Sequence, residues 1–139
     1  MYLDSRDLIE KREELQNQIL NSFNETFPQY ETDDFESILF EEEEVQSWKE
    51  DWLDEIVEIT DIEKLEEEVS SSEWDFGITF ISEDEFEDYC KQLVEDCGYL
   101  SRELPFFISS NIDWAGVADD LRVDYLEVEY QGVTYLFRE

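Results

Sequence analysis

Acidic side chains outnumber basic ones by 41 to 9, which leaves 139 residues with a formal net charge of −32 at pH 7. Self-repulsion on that scale opposes compaction. Such a chain folds only if its carboxylates can be held on outward faces while enough apolar surface is buried. The apolar set is present: 41% of residues are hydrophobic and 15% aromatic, too many for a chain that stays disordered throughout. A surface this negative repels anionic lipid and nucleic acid, so neither a membrane nor direct nucleic-acid binding is expected. No apolar run approaches the length of a membrane span. The opening Met1-Tyr2-Leu3-Asp4 has no basic n-region and no apolar h-region, so a cytoplasmic location is expected.

The last third of the chain carries the clearest folding signals. Ser82-Glu83-Asp84-Glu85 has the capping-box form, a hydroxyl followed three residues later by a carboxylate. Phe86, Tyr89, Cys90, Leu93, Val94 and Cys97 then mark one apolar helical face, and Gly98 is suited to the C′ position. Asn111 or Asp113 caps a second, short helix that buries Trp114, Val117, Ala118 and Leu121. Two strands, Tyr125 to Tyr130 and Val133 to Phe137, flank Gln131-Gly132. A two-residue turn there sets Tyr130 opposite Val133, Val128 opposite Tyr135 and Leu126 opposite Phe137, all on one side of the ribbon. Alternation through Trp74, Phe76, Ile78 and Phe80 predicts a third strand near 74–81.

Upstream, Leu8, Leu15 and Ile19, joined by Ile9, Leu20 and Phe23, form the seam of a helix that starts near Asp4 or Ser5. It ends before Pro28, because the residue preceding proline avoids helical geometry. This helix either packs on its own domain or pairs with a second copy. Residues 31–76 hold 20 acids against Lys49 and Lys64. They are no plain acidic tail, since Val45, Trp48, Trp52, Leu53, Ile56 and Ile59 recur at helical spacing. Thr60-Asp61-Ile62-Glu63 reads as a second capping box, opening a helix with Ile62, Leu65 and Val69. Trp48 and Trp52 read as core, with an exposed partner anchor as the alternative. The expectation is an α+β fold in a single domain, 1–139. It comprises an amphipathic helix over 1–27, an acidic helical segment over 31–73 and a platform over 74–139. Its three-stranded antiparallel sheet packs with four or five helices.

The chemistry of catalysis is thinly represented. There is no histidine and there are only 4 glycines, so His-based nucleophile systems, most zinc sites and phosphate-binding loops are missing. Cys90 and Cys97 lie about 10 Å apart along one helix, too far for a disulfide, and read as two buried thiols. Neither an enzyme nor a metal or cofactor site is expected.

The charge therefore has to supply the function. Solubility is served by a net charge of roughly 2 to 8 in a small domain, far short of this one. Adaptation to high salt is not favoured by 26 Glu against 15 Asp. B-form DNA carries one charge per ~1.7 Å, so a net charge of −32 equals that of roughly 54 Å, or about 16 base pairs, of duplex. In the acidic segment one carboxylate falls every ~3.4 Å if the chain is helical. A rigid array of this kind would enter the basic channel of a DNA-binding protein by presenting backbone charge and shape. The candidate partner-binding array is Glu41, Glu42, Glu43, Glu44, Asp51, Asp54, Glu55, Glu58, Asp61, Glu63, Glu66, Glu67, Glu68, Glu73 and Asp75.

Several stretches also look familiar. Phe86-Glu87-Asp88-Tyr89, Glu95-Asp96-Cys97-Gly98, Ile112-Asp113-Trp114, Ala118-Asp119-Asp120-Leu121, Asp124-Tyr125 and Gly132-Val133-Thr134-Tyr135 resemble the C-terminal module of the ArdA-type antirestriction proteins. The opening Tyr2-Leu3-Asp4-Ser5-Arg6-Asp7-Leu8-Ile9-Glu10 is similar to that of small acidic phage proteins with this module. The resemblance implies a DNA mimic, usually dimeric, that blocks type I restriction-modification enzymes in the host cytoplasm. The partner would be a host DNA-binding protein or defence nuclease. An anti-CRISPR protein, or a dimeric acidic adaptor for a basic nucleoid or regulatory protein, is the alternative. ArdA chains are longer, and here the acidic segment would supply the surface that their further domains carry.

Overall fold

The computed structural model describes residues 2–98 and 104–138. Among the described residues the fold is α+β, with six α-helices and one four-stranded antiparallel sheet of order β1-β2-β4-β3. The chain forms two compact units. The sheet unit comprises Met1–Ser5 and Ser71–Glu139, and the helical unit Arg6–Ser70 is inserted between its two pieces.

In the sheet unit, β3 (Leu126–Tyr130) and β4 (Val133–Phe137) form the expected hairpin. Gln131 and Gly132 both sit at positive φ, +50° and +79°, as a type I′ turn requires. The register pairs Tyr130 with Val133, Val128 with Tyr135 and Leu126 with Phe137, as the turn length demands. The burial of its two sides departs from the expectation. Leu126 and Val133 are exposed, whereas Leu136, on the opposite side of the ribbon, is buried. β4 is an inner strand, so Tyr135, Leu136 and Phe137 in succession are all buried. On one side Leu136 clusters with Ile81, Phe86, Cys90 and Ala118. On the other the Phe80 ring lies 5.4 Å from that of Phe137 and 6.2 Å from that of Trp74.

The sheet has four strands, not three. The additional one is β1 (Tyr2–Asp4), which pairs with β2 (Thr79–Ser82) through Tyr2–Ile81, Leu3–Phe80 and Asp4–Thr79. Three residues are too few to show a period of two, and their partner lies more than seventy residues away. β2 itself starts later than the alternation suggested. Residues 72–76 form turns, closed by Phe76 and Gly77 N–H groups that both donate to the Glu73 carbonyl. Gly77 then takes φ +113°, a region closed to residues with a Cβ.

Ser5 joins the two pieces of this unit. Its hydroxyl donates to the Trp74 carbonyl at 2.7 Å and accepts the Ile78 N–H at 2.7 Å, while its own N–H reaches the Ile78 carbonyl at 2.9 Å. Ser5 is fully buried, so Ser5→Ala strands a carbonyl and an N–H away from water. It will destabilise the protein by about 2 kcal/mol, seen as a lower urea midpoint, and Ser5→Thr will recover part of the loss.

α4 (Phe86–Asp96) follows a 3₁₀ turn at Glu83–Glu85. Ser82 occupies the N-cap position of that turn but makes no capping hydrogen bond through its side chain, so the predicted capping box does not close there. The helix does end at Gly98, φ +70°. Cys90 is buried, but Cys97 is exposed, against the expectation of two buried thiols; it falls past the last α4 residue. Burial pushes the Cys90 thiol pKa up. A thiol reagent will therefore label Cys97 at once in the native protein and Cys90 only on unfolding. After α5 (Phe106–Ser109), α6 (Trp114–Arg122) is capped by Asp113, whose Oδ1 accepts the Gly116 N–H at 3.0 Å.

The helical unit holds most of α1 (Ser5–Thr26), then α2 (Gln46–Asp51) and α3 (Leu53–Val69). Two expectations fail here. The segment from Val45 to Ile59 is not one helix: Trp52, at φ −113° and ψ 11°, separates α2 from α3. Thr60 opens no helix but lies inside α3, where its hydroxyl donates back to the Ile56 carbonyl at 3.0 Å. Ile59, Ile62, Leu65 and Val69 are all buried, and continuing one helix through Thr60 is what buries them together.

Candidate partner-binding face

The acidic residues of the helical unit stand on an aromatic core. Leu15, Ile19, Phe23 and Phe27 from the α1 side meet Ile38, Val45, Trp48 and Ile59. The Trp48 ring lies 5.4 Å from Phe23, 6.1 Å from Phe27 and 6.3 Å from Phe40, and its indole N–H donates to Ser22 Oγ at 2.9 Å. Trp48 is thus a core residue with its polar atom satisfied, and Trp52 packs half-buried against the same cluster. On α1, Leu15, Ile19 and Phe23 are spent inside its own unit.

The segment between α1 and α2 contains little regular helix, yet side chains brace it. Asn24 clamps Thr32 from both sides, donating from Nδ2 to its carbonyl at 2.8 Å and accepting its N–H at 3.0 Å. Asp34 accepts from the Glu36 N–H and the Ser37 hydroxyl. The Gln46 amide donates to the carbonyls of Phe40 and Glu42, at 2.7 and 3.0 Å. Those two bonds, with Val45 fully buried beside them, hold the Glu41–Glu44 run in place. Tyr30 donates to Glu44 at 3.1 Å, and that bond, together with the Glu44 charge, pushes its phenol pKa up.

Of the fifteen predicted array residues, eleven are exposed, and Glu55, Glu58, Asp61 and Glu66 are half-buried. Glu41–Glu44, Asp51, Asp54, Glu55, Glu58, Asp61, Glu63, Glu66, Glu67 and Glu68 belong to the helical unit, Glu73 and Asp75 to the sheet unit. Three carboxylates meet cations: Arg12 reaches Glu66 at 2.8 Å, Lys49 reaches Glu41 at 3.9 Å and Lys11 reaches Glu58 at 4.0 Å. Pairs this exposed add little stability. Their effect is to make those three the least available for a partner.

The structure also adds members. Asp7, Glu10, Glu13 and Glu14 on α1 are exposed, as are Glu31, Asp33, Asp34, Glu36 and Glu50. The spacing of Asp7, Glu10 and Glu14, at i, i+3 and i+7, was the available signal, masked by nearby Arg6, Lys11 and Arg12. In all, Arg6–Ser70 carries 23 acids against 5 bases, a net charge of −18. No family model matches the chain, and neither a curated protein nor a solved structure does.

On α3 the acids do not make a single ridge. At 100° per residue, Asp54, Asp61 and Glu68 fall in one row and Glu63 and Glu67 in another. Between them the outward stripe is Leu53, Val57, Thr60 and the exposed Lys64, with Leu53 45% and Val57 55% exposed. Leu53 is not a core residue as its spacing suggested: on α3 it lies on the side opposite Ile62 and Val69, which are buried. α3 still holds eight carboxylates between Asp54 and Glu68, a rise of about 21 Å.

Among the described residues no three His, Cys, Asp or Glu side chains converge closely enough to hold a metal ion. Among them, too, no helix is long and apolar enough to cross a membrane. What the helical unit offers chemically is a dense, braced display of carboxylates for cationic groups on another molecule.

Proposed function

We propose that this protein is a non-enzymatic DNA mimic that occupies the DNA-binding channel of a restriction-modification enzyme in the cytoplasm, as an antirestriction protein of the ArdA kind does. The observation that carries the reading is the net charge of −18 on Arg6–Ser70, displayed from helices and side-chain-braced turns rather than from a loose tail. Fixed carboxylates have their mutual repulsion already built into the fold, so a cationic channel gains their attraction without having to order them. The sheet unit, with 18 acids against 4 bases, adds to the field in this reading.

The test is DNA cleavage by a purified type I restriction enzyme, with this protein and substrate DNA both titrated. Inhibition that excess substrate DNA relieves, with duplex displacing the protein from the enzyme in a binding assay and both effects falling steeply with added salt, supports mimicry. Inhibition indifferent to substrate DNA, or none, overturns it. A DNA-cleaving CRISPR effector assayed in parallel separates the antirestriction from the anti-CRISPR form of the idea.

A further inference from the structure

The outward stripe of α3 has a property that no nucleic acid has. Leu53, Val57 and Thr60 recur at i, i+4 and i+7, and all three are exposed. The Thr60 hydroxyl is turned onto the Ile56 carbonyl, which spends its donor inside the helix. α3 does not need this stripe for its own packing, since Ile59, Ile62, Leu65 and Val69 already form its buried face. Counted as a heptad, Leu53 and Thr60 take d positions and Val57 the a position between them. Asp54, Asp61 and Glu68 then all fall at e, and Glu63 falls at g. Lys64, at the next a position, ends the neutral stretch, so Leu53 to Thr60 has the layout of one strand of a helix pair, a short neutral seam with charged flanks that choose the partner.

We infer that the α3 stripe docks a basic amphipathic α-helix of a protein partner. The partner's apolar seam covers Leu53 and Val57, and its Lys or Arg residues meet Asp54, Asp61 and Glu63. The sign of the flanks selects this occupant. A second copy of α3 would bring Asp54, Asp61 and Glu68 against like charges, which is costly. Duplex DNA and anionic lipid are repelled for the same reason. From Leu53 to Thr60 the seam rises only about 10 Å, so it recognises two turns and adds specificity to a wider electrostatic contact. The inference goes beyond mimicry, because DNA offers a protein charge but no apolar seam between its charged rows.

Two labelled peptides of equal composition test this. In one, Leu fills a and d, Lys fills e and g, and Ala and Gln fill the rest over three heptads. In the other, the same residues are permuted so that no apolar face forms. Titrated at physiological salt, the protein will bind the first at least tenfold more tightly. In the Leu53→Ser/Val57→Ser protein that advantage will vanish, while affinity for the permuted peptide and the urea midpoint stay unchanged. Equal binding of both peptides by the unsubstituted protein overturns the inference, since charge alone would then explain the attraction. So does an advantage that survives the double substitution.

Discussion

Exchanging Asp54, Asp61, Glu63, Glu67 and Glu68 together for their amides will raise the concentration needed to inhibit a type I restriction enzyme by about a hundredfold. Each exposed ion pair lost is worth roughly a factor of two to three, and five of them compound to that size. The five residues sit on one helix, on two rows, and none of them makes an ion pair that would be lost within the fold. Exchanging Asp84, Glu87, Asp88, Asp119 and Asp120, all exposed carboxylates of the sheet unit, removes the same formal charge and will shift inhibition only a few-fold. Equal losses from the two sets would mean that total charge, rather than the helical face, is what the enzyme reads.

Phe23→Ala will be the most damaging single core substitution in the helical unit. Phe23 is completely buried, with ring centroids 5.4 Å from both Phe27 and Trp48. Truncation leaves a void where three rings met, at a cost of about 4 kcal/mol. That is a large share of the 5–15 kcal/mol typical of a whole domain. The measurement is urea unfolding followed by tryptophan fluorescence, to which Trp48 and Trp52 report from the same cluster. Phe106→Ala, at a side chain 83% exposed, should change stability by less than about 0.5 kcal/mol. If the two variants unfold alike, the aromatic cluster does not hold the unit together. Because the carboxylates stand on that cluster, Phe23→Ala should also cost inhibition at temperatures where the unit melts.

Where structure is set by neighbours in sequence, it was legible. The hairpin register followed from Gln131-Gly132, and the end of α1 followed from Pro28. The cap of α6 was narrowed to Asn111 or Asp113, and Asp113 is the one that caps. Structure set by distant partners was not legible. β1 has only three residues and gains its identity from β2, and Leu136 is buried because β4 lies inside the sheet. Local motifs also misled when burial overruled them. Thr60 has the form of a cap, but the run of apolar residues on both sides of it keeps the helix going. The break falls instead at Trp52, which no glycine or proline announces. The count of carboxylates could be read directly, but their division into rows around an apolar stripe needed the helix to run unbroken from Leu53 to Val69, through Thr60.

The insertion of Arg6–Ser70 between the two pieces of the sheet unit sets an order of events during synthesis. Tyr2–Asp4 leave the ribosome before this insert and must wait for Thr79–Ser82 before they have a strand to pair with. In the interval the helical insert, whose aromatic cluster draws on no residue of the sheet unit, emerges whole. The helical unit, with its net charge of −18, is therefore complete before the sheet can close.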